Sequence, residues 1–133
     1  LMVHASLRAL GPVKGGAAEV VRALEEAVGE AGTLVAYVDV ELFHEDDDED
    51  EVPVFDPRTA RAALDHGVLH ETMRTWPGAL RSDHPDAGVV AMGKRAEWIV
   101  KEHPFRYGYG PGSPFARVVE AKGKVLMLGA PLD

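Results

Sequence analysis

Cysteine is absent from this chain. Disulfides, thiolate zinc sites and cysteine nucleophiles are therefore excluded. The absence fits a reducing cytoplasm, which is the compartment expected. No apolar run approaches the roughly 20 residues that a membrane-spanning helix needs. No basic leader followed by an apolar core marks a signal peptide. Positive charge is also scarce: 14 Lys and Arg stand against 22 Asp and Glu, a net charge of −8. Nucleic acid is a poor partner for such a surface, because neutralising phosphates takes a basic patch. A cationic ligand suits it better. The nucleotide fingerprints GxxxxGKS/T and GxGxxG do not occur, nor do HExxH and the GxSxG elbow.

What is present is ordinary for one globular domain: 133 residues, 46% hydrophobic and 27% charged. LMVH (1–4) reads as a strand, followed by a loop with turn signals at Gly11-Pro12 and Gly15-Gly16. Val20, Val21, Leu24, Ala27 and Val28 recur on one helical face, and Gly29 and Gly32 stop that helix. TLVAYVDV (33–40) is β-branched and nearly continuous, a buried strand expected to run parallel to the first. Seven consecutive acids, Glu45 to Glu51, repel one another, so a mobile acidic loop is expected over about 42–54.

Further on, Val68, Leu69, Thr72, Met73 and Trp76 mark a helical stripe that ends at Pro77-Gly78. GVVAMG (88–93) is strand-sized. KRAEWIVKEH (94–103) reads as a helix with Trp98 and Ile99 inward, and a Gly/Pro/Tyr loop covers 105–114. Phe115 to Ala121 should form a short helix with Ser113 as N-cap and Pro114 at its first position. KVLMLGA (124–130) is a last strand. The alternation predicts an α/β fold: a layered α/β/α sandwich around a mostly parallel central sheet. Leu1 precedes Met2 and the final residues run out of a strand, so both ends are expected to be cut from a larger domain.

Several clusters carry chemical potential. Two glycines before a helix leave backbone N–H groups free to hold an anion such as a pyrophosphate. The acidic tract lacks the glycine and terminal Glu of a calcium loop and reads as a solvated segment, or as a negative wall that gathers polycations. His66 and His70 share zinc-compatible spacing but no HExxH, and read as a surface pair; no metal is expected. RSDHPDAG (81–88) packs Arg, Ser, Asp, His and Pro into eight positions. Pro85 biases His84 to an extended conformation, and no nucleophile nearby has a clear partner.

Taken in order, LMVHASLRALGPVKGG, ALEEAVGEAGTLVAY, FDPRTA, GVLHETMRTWPGALRSDHPDAGVVAMG and GPGSPFARVVEAKGKVLMLGAP resemble the antibiotic N-acetyltransferases. More specifically, they resemble the aminoglycoside 3-N-acetyltransferases that lack the GNAT fold. The most specific signal is the succession of HASL, a Gly-Gly pair, RS-x-HPDA, GSP and LGAP. The resemblance covers almost the whole chain, so residues 1–133 are expected to be one partial domain of that family.

It implies acetyl transfer from acetyl-CoA, as cosubstrate, to the 3-amino group of a deoxystreptamine ring. Relatives run to about twice this length. Their general-base histidine lies in a T-x-L-H-x-A-E motif expected after Asp133, so no catalytic residue is assigned within the chain, and His84 falls to the pocket wall. Coenzyme binding is expected from Ser6, Leu7, Arg8, Val13, Lys14, Gly15 and Gly16, with Ser82, His84 and Ser113 lining the acetyl-CoA channel. Tyr37, Asp39 and Glu41 are expected to face the polycationic sugar. Gly88 departs from relatives that carry Ser there. The implied protein is a cytoplasmic monomer or homodimer with no nucleic-acid or membrane partner. Two alternatives stand beside it: an acetyl-CoA-dependent acyltransferase on another amine, and a truncated, inactive CoA-binding domain.

Overall fold

The computed structural model describes residues 1–40 and 54–130. Glu41 and the acidic tract lie outside the described residues. Five strands form one sheet in the order β3-β4-β2-β1-β5. In chain order the elements are β1 (Met2–Ala5), α1 (Leu7–Leu10), α2 (Gly16–Val28), β2 (Thr33–Tyr37), a 3₁₀ turn (Leu64–His66), α3 (Gly67–Arg74), β3 (Leu80–Arg81), β4 (Val89–Gly93), α4 (Ala96–Val100), α5 (Pro114–Glu120) and β5 (Val125–Leu128).

β1 and β2 are parallel and joined through α2, as the strand–helix–strand pattern predicts. β5 lies parallel on the other side of β1. The sheet is nevertheless mixed: β4 runs antiparallel to β2, and β3 antiparallel to β4. The loop 82–88 explains the second pairing, because an antiparallel neighbour needs only a return loop and no crossover helix.

Alternation along the strands builds two cores, one on each face of the sheet. Val3, Leu34, Ala36, Val90 and Met92 face α2 and α3, where they meet Val20, Val21, Leu24, Leu69 and Met73. Met2, Val35, Val89 and Ala91 face the opposite way, against Ala96, Ile99 and Val118 of α4 and α5. The result is the three-layer sandwich expected. Each fully buried Val or Leu contributes about 1.5–3 kcal/mol relative to its exposed state.

Two helices differ from expectation. The buried face of α3 is Leu69, His70 and Met73, whereas Val68 is 58% exposed. That face is turned by about 75° from the centre of the predicted stripe, with Leu69 and Met73 common to both. Trp76 still closes it, donating its indole N–H to Glu25 of α2 at 3.0 Å. α4 stops at Val100 because Lys101 is extended, three residues before Pro104. α5 starts as predicted, with Ser113 accepting from the Ala116 amide and Pro114 in the first turn.

Candidate active site

The carboxyl ends of β1 and β2 point the same way, where open α/β sheets hold their ligands. The chain leaving β2 is fixed from two sides. Val38 N–H donates to Gly88 O at 2.8 Å, Val40 N–H to Pro85 O at 2.9 Å, and Ala63 N–H to Asp39 O at 3.0 Å. Arg81 adds a clamp, donating from its two terminal nitrogens to Ala60 O (2.5 Å) and Val38 O (2.6 Å) beneath the Phe55 ring. Burial pulls its guanidinium down to about 10, which leaves it charged at neutral pH.

Asp39 is thereby held with its carboxylate 27% exposed. His66 Nε2 contacts Asp39 Oδ1. A carboxylate only accepts, so Nε2 carries the proton. The Tyr37 hydroxyl stands 3.4 Å from Oδ2, yet it donates its single proton to Asp86 O, at 2.6 Å. Tyr109 donates in turn to the Tyr37 hydroxyl at 3.3 Å and packs on Phe115. Burial first, with the Asp39 charge, pushes the Tyr37 phenol well above its ordinary value, so it stays a donor. Oδ2 of Asp39 therefore retains lone pairs for a ligand.

The expected surface pair of histidines is corrected here. His70 is 4% exposed and donates from Nδ1 to His66 O at 2.6 Å. Burial lowers its pKa. His66 itself is mostly buried against Tyr37, edge to face at 5.0 Å. Asp39, Asp65 and His66 present ligand atoms within 4.8 Å of one another. Asp65 is 84% exposed and the His66 proton is already given to Asp39, so the trio reads as a hydrogen-bonded acidic cluster.

Two hollows flank the cluster. One, of about 470 Å³, is lined by Asp39, Val40, Ala63, Leu64 and Asp65. The other, of about 520 Å³, has Ser6, Leu7 and Arg8 on one wall and Asp65, His66 and Val68 on the other. Ser6 caps α1, its side chain accepting from Ala9 N–H at 3.4 Å, and anchors to β5 through Leu128 O. Val13 packs against the larger core and Lys14 is exposed. Gly15 caps α2 without a side-chain acceptor, at φ +87°, and Gly16 follows at +63°. The first amides of this 13-residue helix have no side-chain cap.

Ser82, His84 and Ser113, expected to line the acetyl-CoA channel, are buried, with both hydroxyls and His84 Nδ1 hydrogen-bonded within the protein. Ser82 accepts from Val89 N–H and donates to His103 Nδ1, whose Nε2–H donates to Gly108 O. His84 Nδ1 accepts from Ala87 N–H, and its ring lies 4.6 Å from that of His103. Ser113 donates to Gly110 O while capping α5. The network fixes the loops 82–88 and 104–113. His103 was not singled out in the sequence. Its signal was the His-Pro pair it forms with Pro104, which matches His84-Pro85.

At Gly88, a Cβ would sit 2.7 Å from His84 O and 2.8 Å from Val38 O. The missing side chain thus permits a close backbone contact, beyond merely removing a hydroxyl.

The described residues form a three-layer α/β domain with an acidic, aromatic-lined cluster at the strand carboxyl ends and, at α2, a helix start without a side-chain cap. The profile of the aminoglycoside 3-N-acetyltransferase family matches residues 2–133. The aminoglycoside N(3)-acetyltransferase III of Pseudomonas aeruginosa is 43% identical over the whole chain, which covers 53% of that protein. Aminoglycoside N(3)-acetyltransferase VIII of Streptomyces fradiae is 40% identical, with 50% of its length covered. A structure of AAC-IIIb with CoASH superposes with a TM-score of 0.92 at 50% identity, over 98% of this chain and 53% of that one. Sisomicin-bound AAC-VIa gives 0.86 at 40% identity, over 95% and 51%. The chain belongs to the aminoglycoside 3-N-acetyltransferase family and spans about half the length of the curated relatives it matches.

Proposed function

We propose that the protein containing this chain transfers acetyl from acetyl-CoA to the 3-amino group of an aminoglycoside, conferring resistance to it. The observation that carries the reading is the Asp39 carboxylate, with one oxygen engaged by His66 and the other open, beside the Ser6–Arg8 hollow. An aminoglycoside carries several ammonium groups, and a carboxylate at the edge of an acidic surface attracts and orients one. Tyr37 offers a hydroxyl and ring face next to it. Glu41 is proposed as a further sugar-binding carboxylate from the sequence alone.

On the carrier side, Ser6 to Arg8 and Val13 to Gly16 receive the pantetheine and pyrophosphate of acetyl-CoA. The amides of α2 that follow Gly16, whose own N–H is taken by Val13 O, suit an anion, and Arg8 and Lys14 add charge. Ser82, His84 and Ser113 act from behind, by fixing the loops that border the site. The attacking amine must lose a proton, and the tetrahedral oxyanion that follows needs a donor. We assign no base within this chain, in keeping with the family histidine that the resemblance places after it. Direct transfer in a ternary complex needs no enzyme nucleophile, and positioning supplies much of the rate. No helix among the described residues is long and apolar enough to cross a membrane. The cytoplasm, where acetyl-CoA is available, is the compartment this reaction requires.

The test is a CoA-release assay on the full-length gene product with a panel of aminoglycosides and simple amines, beside calorimetry with CoASH. Deoxystreptamine drugs should be preferred substrates, with the product acetylated at the 3-amino group. Preference for another amine would replace the substrate. CoASH binding without turnover would leave only a coenzyme-binding domain.

A further inference from the structure

We propose that His66 is a substrate-positioning residue: it holds the Asp39 carboxylate in the one orientation that offers Oδ2 to a ligand ammonium. This inference rests on the reading that Asp39 binds the cationic sugar. A carboxylate turns freely about its last torsion unless a neighbour fixes it. Here the neighbour is supplied twice by one turn. Ala63 N–H, just ahead of the 3₁₀ turn, takes the Asp39 carbonyl, and His66, at the turn's end, takes Oδ1.

His66 is itself held in place by two neighbours, Tyr37 and His70. Its ring stands edge-on to Tyr37 at 5.0 Å and lies 5.6 Å from His70. Its carbonyl accepts from the buried His70. Asp65, the adjacent residue, lies 3.9 Å from Nε2 and is too far to compete for that proton. Because the Tyr37 proton goes to Asp86 O, nothing else among the described residues takes Oδ2 in a short hydrogen bond. His66 also forms the wall shared with Ser6 and Arg8, so the turn that orients the acceptor carboxylate borders the proposed coenzyme hollow.

The experiment uses the full-length enzyme with His66→Ala, His66→Gln, His66→Asn, Asp39→Asn and the double variant Asp39→Asn/His66→Ala. Gln carries an amide N–H out to about the position of Nε2; Asn does not reach it. Losing a charge-assisted hydrogen bond that orients a binding group should raise the aminoglycoside KM about 5- to 20-fold. In His66→Ala the KM should rise by more than kcat falls. Gln should restore most of the KM and Asn should not, and this pair decides the matter if His66→Ala does not fold. The double variant should be no worse than Asp39→Asn alone, since one residue acts through the other. An unchanged KM in His66→Ala, or KM losses that multiply in the double variant, would overturn the assignment. A wild-type enzyme that spends no acetyl-CoA on any aminoglycoside would instead sink the functional reading, and this inference with it.

Discussion

Arg81→Met tests whether the end of β2 is held in place by one buried cation. The substitution keeps the stem's volume but removes both donors, leaving the carbonyls of Val38 and Ala60 without them. Each unsatisfied carbonyl costs about 1–3 kcal/mol. Part returns, because the guanidinium no longer has to be desolvated; its pKa near 10 reports that strain. Its Nε, buried with no partner among the described residues, adds to the relief. A net loss of about 2–4 kcal/mol remains. In a protein of 150–250 residues or more, each kcal/mol moves Tm by about 2–4 °C, so Tm should fall by about 4–16 °C. Arg81→Lys can reach one carbonyl and should lose about half as much. Thermal unfolding of the full-length protein, scored beside the aminoglycoside KM, is the assay. The KM should rise with the loss of Tm, because Val38 precedes Asp39. An Arg81→Met protein whose Tm lies within about 1 °C of wild type would refute the clamp.

Gly88→Ala should lower Tm by several degrees, since its Cβ would press two backbone oxygens that are themselves hydrogen-bonded or tied to the sheet; overpacking of this kind costs about 1–3 kcal/mol. Ser113→Ala removes the cap of α5 at a cost of about 1 kcal/mol, visible in a melting curve, and should leave the CoASH Kd unchanged if the residue acts only through the fold. Burial depresses the pKa of His70 and His103 in the folded state. Their contribution to stability is therefore full above the unfolded value near 6.5 and declines as pH falls from there toward the depressed values. Tm measured from pH 7.5 down to pH 5 should drop, and His103→Gln should flatten the curve.

The elements with a complete local signal were legible in the sequence. α2 carries its apolar residues on one face with glycines at both ends, and the structure buries Val20, Val21 and Leu24 of that face while leaving Ala27 exposed. β1, β2 and β4 are short apolar runs that the sheet buries on both faces. β3 was not legible: two residues, Leu80 and Arg81, owe their pairing to β4 and not to any pattern of their own. The turned face of α3 has a similar cause. His70 is polar by composition, so the predicted stripe passed it over. It is buried because its Nδ1 finds His66 O one turn away. The site divides the same way. Tyr37 and Asp39 lie at the end of a strand and were named. His66 was taken for a surface residue because its partner is 27 positions distant, and no spacing rule connects them.

On the proposed function, hydrogen-bond capacity separates residues that bind from residues that support them. Ser82, His103 and Ser113 are polar and buried, and sequence reading assigns Ser82 and Ser113 to the coenzyme channel. Every hydrogen-bonding nitrogen or hydroxyl in that trio is satisfied by the protein itself. A closed network has nothing left to offer a ligand, and buried polar groups of this kind serve to specify one backbone arrangement. Asp39 Oδ2 is the reverse: its carboxylate is held by a neighbour, yet it has capacity left over. On the proposed function that acceptor takes the cation, and the amides of α2 after Gly16 are assigned to the anionic carrier. Variants should therefore fall into two groups by readout. Ser82→Ala should move Tm and leave the aminoglycoside KM alone, while Asp39→Asn should raise that KM at least tenfold and hardly shift Tm. A Ser82→Ala enzyme with wild-type Tm and a weakened CoASH complex would show that an internally satisfied hydroxyl still serves the ligand, and the division would be wrong.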